Sequence, residues 1–335
     1  MITMEKQVHA RHIVKWAADK PDVVVFSGDL TASTEITEFS ETYPQRFYLM
    51  GMAEQNMLSW AGGMAREGFV PLVHTFAVFL TRRPYDQVAM SIAYPNLNVK
   101  LVGFLPGMMT PGGVTHQAID DINLMRGLPN FTVLECGDAA DVESVLDVAY
   151  SINGPVYIRQ LRGIIPRLFD TPMELSKARQ VSQGDAALVL SSGVMTQEVI
   201  RASAVLAKHG INIKHLHIST LKPFDDPEVD KALLDAKCPI FTVENHYVIG
   251  GLGSCVAERM AELGASSKLH KIAIPGFAHG ANMPYLLAEF NMDAKAIAER
   301  IAKAVGVPVS VVSEEIPEIG SLDPSSKDGD QLEAL

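Results

Sequence analysis

The chain has 335 residues and a formal net charge of −11, with 47% hydrophobic and 20% charged residues. That mixture supplies apolar material for about two buried cores, and without a basic run to offset the acidity it argues against a nucleic-acid partner. No apolar run approaches the roughly 18–20 residues of a membrane span, the opening MITMEKQVHARH lacks the apolar centre of a secretory signal, and Cys136, Cys238 and Cys255 form no CxxC pair; the expectation is a cytoplasmic protein with reduced thiols.

In chain order, short apolar runs at 23–27, 46–50, 70–76, 99–104, 131–135 and 156–159 predict strands. Helix-like stretches at 8–20, 54–67, 84–93 and 138–150 separate most of them. The runs are apolar throughout rather than alternating, as a parallel sheet covered on both faces requires. From 161 to 185 the periodicity fades into Pro, Gly and charge, which reads as a linker. A second series follows, with strands at 186–191, 211–218, 240–245 and 270–274. Helices are expected at 195–208, near 227–236, at 253–263 and at 294–305. The expected fold class is α/β, in two domains that are each a largely parallel sheet covered by helices. The division is 1–165 for the first domain, 166–185 for the linker, 186–308 for the second domain and 309–335 for a mobile acidic tail.

Several features carry chemistry. VIGGLGSCVAE (248–258) has no GxGxxG in register and reads as close strand–helix packing. His215 and His217 share a strand face but lack a third ligand for zinc, while His246 and His279 are open to either a functional or a structural role. The loop FLPGMMTPGGVTHQAIDD (104–121) leaves a strand at the carboxyl end, the edge where open parallel sheets build their sites. His116 follows Gly112 and Gly113 in it, just before a helix expected near Ala118; it could donate to a substrate oxygen, shuttle a proton or cap that helix. Phe76 and Phe79 would suit a flat heterocycle or the core. Glu54 places an acid in the first turn of a helix among Met52, Ala53 and Met57, as either a solvated helix-start carboxylate or a dry functional one.

In order, GDLTAST (28–34), GMAEQNM (51–57), HTFAVF (74–79), GGVTHQAIDDINLMRGLPN (112–130) and VENHYVIGGLGS (243–254) resemble the C-terminal half of the transketolase family over nearly the whole chain, to about residue 306. The resemblance implies a pyrimidine-binding domain for thiamine diphosphate followed by a transketolase C-terminal domain. It makes Glu54 the partner of N1′ of the cofactor's aminopyrimidine, kept dry by its apolar neighbours, and Phe79 the ring that stacks on that pyrimidine beside Phe76. Asp29 joins the implied cofactor-binding set, and His116 is the substrate-facing histidine. Ser33 and Arg159 match positions at the phosphate end of a sugar phosphate, where an arginine fork suits the anion.

Two positions depart from the family. Phe104 stands where a strand-end histidine is usual, and Gly112 stands where an acid is usual, so a different ketose phosphate or a modified sugar is implied. The GDG…N segment that holds Mg2+ and the diphosphate is not found. A separate N-terminal subunit is therefore expected to supply that site, around a dimeric core of this chain in an α2β2 assembly. The implied reaction is transfer of a two-carbon ketol unit between sugars or sugar phosphates. The rival readings are the β-subunit of a 2-oxo acid dehydrogenase E1 component and a non-catalytic assembly subunit.

Overall fold

The protein is described by a computed structural model covering residues 2–319. Its larger sheet has seven strands, in the order Thr220–Lys222, Thr132–Glu135, Val156–Gln160, Lys100–Phe104, Val70–Phe76, Val23–Ser27 and Phe47–Leu49. All pairings are parallel except the first. The apolar runs form these strands because helices cover both faces, so every residue of Val23–Ser27, Val70–Phe76, Lys100–Phe104 and Val156–Gln160 is buried. A second sheet runs Leu269–Ile274, Ile240–Tyr247, Ala187–Ser191, Ile213–His217 and Arg179–Ser182, parallel except for the last strand. The two largely parallel, helix-covered sheets are the expected fold.

The halves are more interleaved than the sequence suggests. Thr220–Lys222, from the second half, pairs antiparallel with Thr132–Glu135 and covers an edge of the first sheet that would otherwise present unpaired backbone. Arg179–Ser182 lies inside the expected linker yet forms the edge of the second sheet. Thr3–Lys6 and Ile164–Arg167 make a small antiparallel pair. The helix expected over 84–93 is instead a short α-turn, Tyr85–Gln87, continued as a π-helical segment, Val88–Ala93. The start of the expected tail is packed: Gln197 donates to the Ile319 carbonyl at 2.6 Å and Arg201 to that of Pro317 at 3.1 Å. The remainder of that segment lies outside the described residues. Among the described residues, no helix is long and apolar enough to cross a membrane.

Parallel strands align their carboxyl ends, and here that edge gathers the loops after Ser27, Leu49, Phe76, Phe104 and Gln160. Of the residues singled out for chemistry in the first half, Phe76 and Phe104 end their strands at that edge, Arg159 lies within its strand, and the others sit in or just beyond those loops.

Candidate functional site

Helix Glu54–Arg66 begins directly on the acid, so the carboxylate lies at the helix's positive end. Glu54 is 4% exposed. Its company differs from the expectation: Met57 is buried, but Met52 is 79% exposed and does not shield the carboxyl. The polar neighbour is Arg83, whose Nη1 donates to Glu54 Oε1 at 2.7 Å. The same guanidinium lies 4.0 Å from the centroid of the Phe79 ring. Phe79 in turn stacks on Phe76, with centroids 5.9 Å apart and planes 24° apart. Strand Val70–Phe76 and the following helix Ala77–Thr81 fix both rings.

His116 closes the cluster with its ring edge-on to Phe79, at 5.3 Å. Its Nδ1 is 2.8 Å from the Thr115 hydroxyl. The helix expected near Ala118 starts later, at Asp121, after a short 3-10 turn over Gly113–Thr115, so His116 is a loop residue and not a helix cap. Gly112 has a local reason: a side chain there would meet the His116 ring at 2.8 Å.

The second domain holds this loop. Asn245 Oδ1 accepts from the Met108 amide at 3.0 Å, and its Nδ2 donates to the Pro106 carbonyl at 3.1 Å. Gly107, at φ +63°, leaves only 2.3 Å between a would-be Cβ and the Asn245 amide, so no other residue fits. Tyr247 donates its backbone N–H to Ile119 at 2.7 Å. VENHY is thus a brace for the loop that carries His116. Its His246 is fully buried, and burial holds the ring neutral by lowering its pKa to about 4.

Asp29 is exposed at φ +66° after strand Val23–Ser27. Ser33 is buried, and its carbonyl accepts from Arg162 Nη1 at 2.7 Å. Arg162 also faces Phe76, with its guanidinium carbon 5.8 Å from the ring centroid. Arg162 is therefore a second arginine, besides Arg83, that reaches the cluster, and sequence reasoning passed it over.

Arg159 is a correction. It has no exposed surface, and its guanidinium is consumed within the protein. Nε donates to Asp121 Oδ2 at 2.8 Å, Nη2 to Asp121 Oδ1 at 3.1 Å and to the Asn245 carbonyl at 3.0 Å, and Nη1 to Glu135. Burial pushes the Asp121 carboxyl up, but the Arg159 charge outweighs it and holds the group below its ordinary value. An arginine so enclosed has no fork left for a phosphate.

Phe104 is also internal, packed 5.4 Å from His9 and 6.1 Å from His74. Burial lowers the pKa of His74 to about 3, so that ring is neutral. His215 and His217 are likewise spent inside the fold, on the hydroxyls of Ser191 and Thr196 at 2.7 Å each. Among the described residues, no group of three or more His, Cys, Asp or Glu side chains is placed to hold a metal ion.

The structure thus gathers a buried carboxylate, Glu54, and the Phe76–Phe79 stack around Arg83 at the carboxyl edge of a parallel sheet. Among family models, the transketolase pyrimidine-binding domain matches residues 4–167, and the transketolase C-terminal domain matches residues 176–297. The chain belongs to the transketolase family.

It is 42% identical over 255 residues to the uncharacterised transketolase family protein y4mN of Sinorhizobium fredii, covering 73% of this chain and 72% of that one. It is 35% identical over 289 residues to the 6-deoxy-6-sulfo-D-fructose transketolase subunit SqwH of a Clostridium species, covering 85% and 89%. Among solved structures, a split-gene transketolase described as an inactive β4 tetramer superposes with a TM-score of 0.82 at 32% identity, covering 90% of this chain and 98% of that one.

Proposed function

We propose that this chain is the C-terminal subunit of a split thiamine-diphosphate-dependent transketolase, and that with an N-terminal subunit it transfers a two-carbon ketol unit from a ketose to an aldose. The observation that carries this reading is the Glu54–Phe79 seat. A planar, nitrogen-rich guanidinium already lies on the Phe79 face and donates to the Glu54 carboxylate, and an aminopyrimidine has the same flat shape and polar edge. When bound, thiamine diphosphate supplies the carbon centre that accepts and releases the two-carbon unit.

The chain's own residues then have separable tasks. Glu54 hydrogen-bonds the pyrimidine edge, and its burial keeps water from competing for that bond. Phe79, backed by Phe76, fixes the plane of the ring. Asp29, just after strand Val23–Ser27, stands at the same carboxyl edge of the sheet and is assigned to the cofactor in this reading. His116, beside Phe79 and half-buried, donates to or takes a proton from a sugar oxygen. Ser33 and Arg162 form the end of the site suited to an anionic group on the substrate.

Mg2+ and the diphosphate belong to the partner subunit in this reading, which the subunit and split-gene names of the matched relatives support. Met52, Trp60, Met90 and Tyr94, on or beside the helical segments Glu54–Arg66 and Val88–Ala93, are each more than half exposed and suit contact with a second copy of the chain at the core of an α2β2 assembly. The test is to combine the chain with an N-terminal transketolase subunit, thiamine diphosphate and Mg2+. Ketol transfer between a ketose and an aldose is expected. Decarboxylation of a 2-oxo acid without ketol transfer would favour the E1 reading and overturn this one.

A further inference from the structure

Arg83 occupies the ring seat itself. Its Nη1 donates to Glu54 Oε1 at 2.7 Å while the guanidinium plane sits 4.0 Å from the centre of Phe79. These are the two surfaces that the proposed function assigns to the pyrimidine: the carboxylate that bonds its edge and the ring that stacks on its face. Two flat groups cannot share them. We propose that Arg83 is a built-in competitor of the cofactor, closing the seat in the cofactor-free chain and swinging out to solvent when the pyrimidine enters.

The surroundings fit a residue that moves by its side chain alone. Half of that side chain is exposed, so a path to water is open. The backbone is held apart from it, because Gln55 Nε2 donates to the Arg83 carbonyl at 3.2 Å. The neighbouring Arg82 shows what a fixed arginine looks like here: its Nε is shared between the two carboxylate oxygens of Asp120 at 2.9 and 3.2 Å. Arg83 has a physical reason to fill the seat, since a buried carboxylate without a partner is costly and a guanidinium offers both the charge and the stacking plane. The plug keeps Glu54 paired until a ring of matching shape replaces it. Cofactor affinity is then lowered by the fraction of chains in which the seat is already taken.

This inference rests on the cofactor reading above, and the experiment separates the two. Thiamine diphosphate with Mg2+ is titrated calorimetrically, up to millimolar concentration, into an N-terminal transketolase subunit paired in turn with the full chain, the Arg83→Ala chain and the Glu54→Ala chain. The expected result is binding by the full chain that is tightened about 3–10-fold in Arg83→Ala, the loss of a competing charged hydrogen bond. Binding should be lost in Glu54→Ala. A melting curve gives a second readout: the rise in Tm caused by saturating cofactor should be larger in Arg83→Ala than in the full chain. Equal or weaker binding by Arg83→Ala overturns the competitor and leaves the cofactor reading standing. No binding by either the full chain or Arg83→Ala, or binding that survives Glu54→Ala, overturns both.

Discussion

Arg159 and Arg162 stand on the same strand and its exit, yet one is sealed between Asp121 and Glu135 while the other reaches Ser33 and Phe76. Nothing in the letters separates them, because charge is written in a sequence and burial is not. Taking Arg159 out of the protein would leave two buried carboxylates uncompensated. Arg159→Met is therefore expected to cost about 3–5 kcal/mol, read as a lower urea midpoint. A loss under 1 kcal/mol would contradict the buried triad. The place of Glu54 at a helix start was legible in the sequence, but its partner was not: the Arg83 contact crosses from one strand-end loop to the next, and no periodicity announces it. The loop that carries His116 was legible at its strand end, whereas the hold of Asn245 on that loop depends on a contact with a distant part of the chain.

At the level of elements, the buried parallel strands were the readable part, since continuous apolar runs are what a sheet covered on both faces demands. Val70–Phe76 lies where its run predicts. The short edge strands were not readable: Thr220–Lys222 and Arg179–Ser182 exist because they close open sheet edges, a need that belongs to the assembled sheets and not to those few residues. The loop over 105–120 shows the same dependence. Gly107 combines a positive φ with the close approach of Asn245, so Gly107→Ala should displace the loop and His116 with it. The expected outcome is a Tm lowered by several degrees, together with a fall in kcat greater than any change in cofactor affinity. An unchanged kcat would show that the second domain does not position His116.

Across the whole molecule, the second domain braces the first, and one buried acid makes that brace sensitive to pH. Glu244 lies in the Ile240–Tyr247 strand with one oxygen accepting from the Gly253 amide at 2.8 Å and the other buried with no hydrogen-bond partner assigned among the described residues. Burial raises its pKa from 4.5 to about 7. A raised carboxyl pKa means that the folded chain holds a proton which the unfolded chain has released. The contribution of Glu244 is therefore full below pH 4.5 and is lost as pH rises toward 7, at up to about 1.4 kcal/mol per pH unit. Glu244→Gln removes that term. Its stability relative to the parent chain should thus climb between pH 5 and pH 7, as measured by urea unfolding across that range. A difference independent of pH would contradict the assignment.

The proposal for the assembly as a whole is that this chain seats the pyrimidine on Glu54 while a second kind of subunit holds the diphosphate and Mg2+. The most direct test is the rate of ketol transfer by the reconstituted pair of subunits, with and without Glu54→Gln. The account predicts that transfer requires both subunits and falls by at least about two orders of magnitude with Glu54→Gln, the scale of a lost acid–base contact. Full transfer by the Glu54→Gln pair would contradict it.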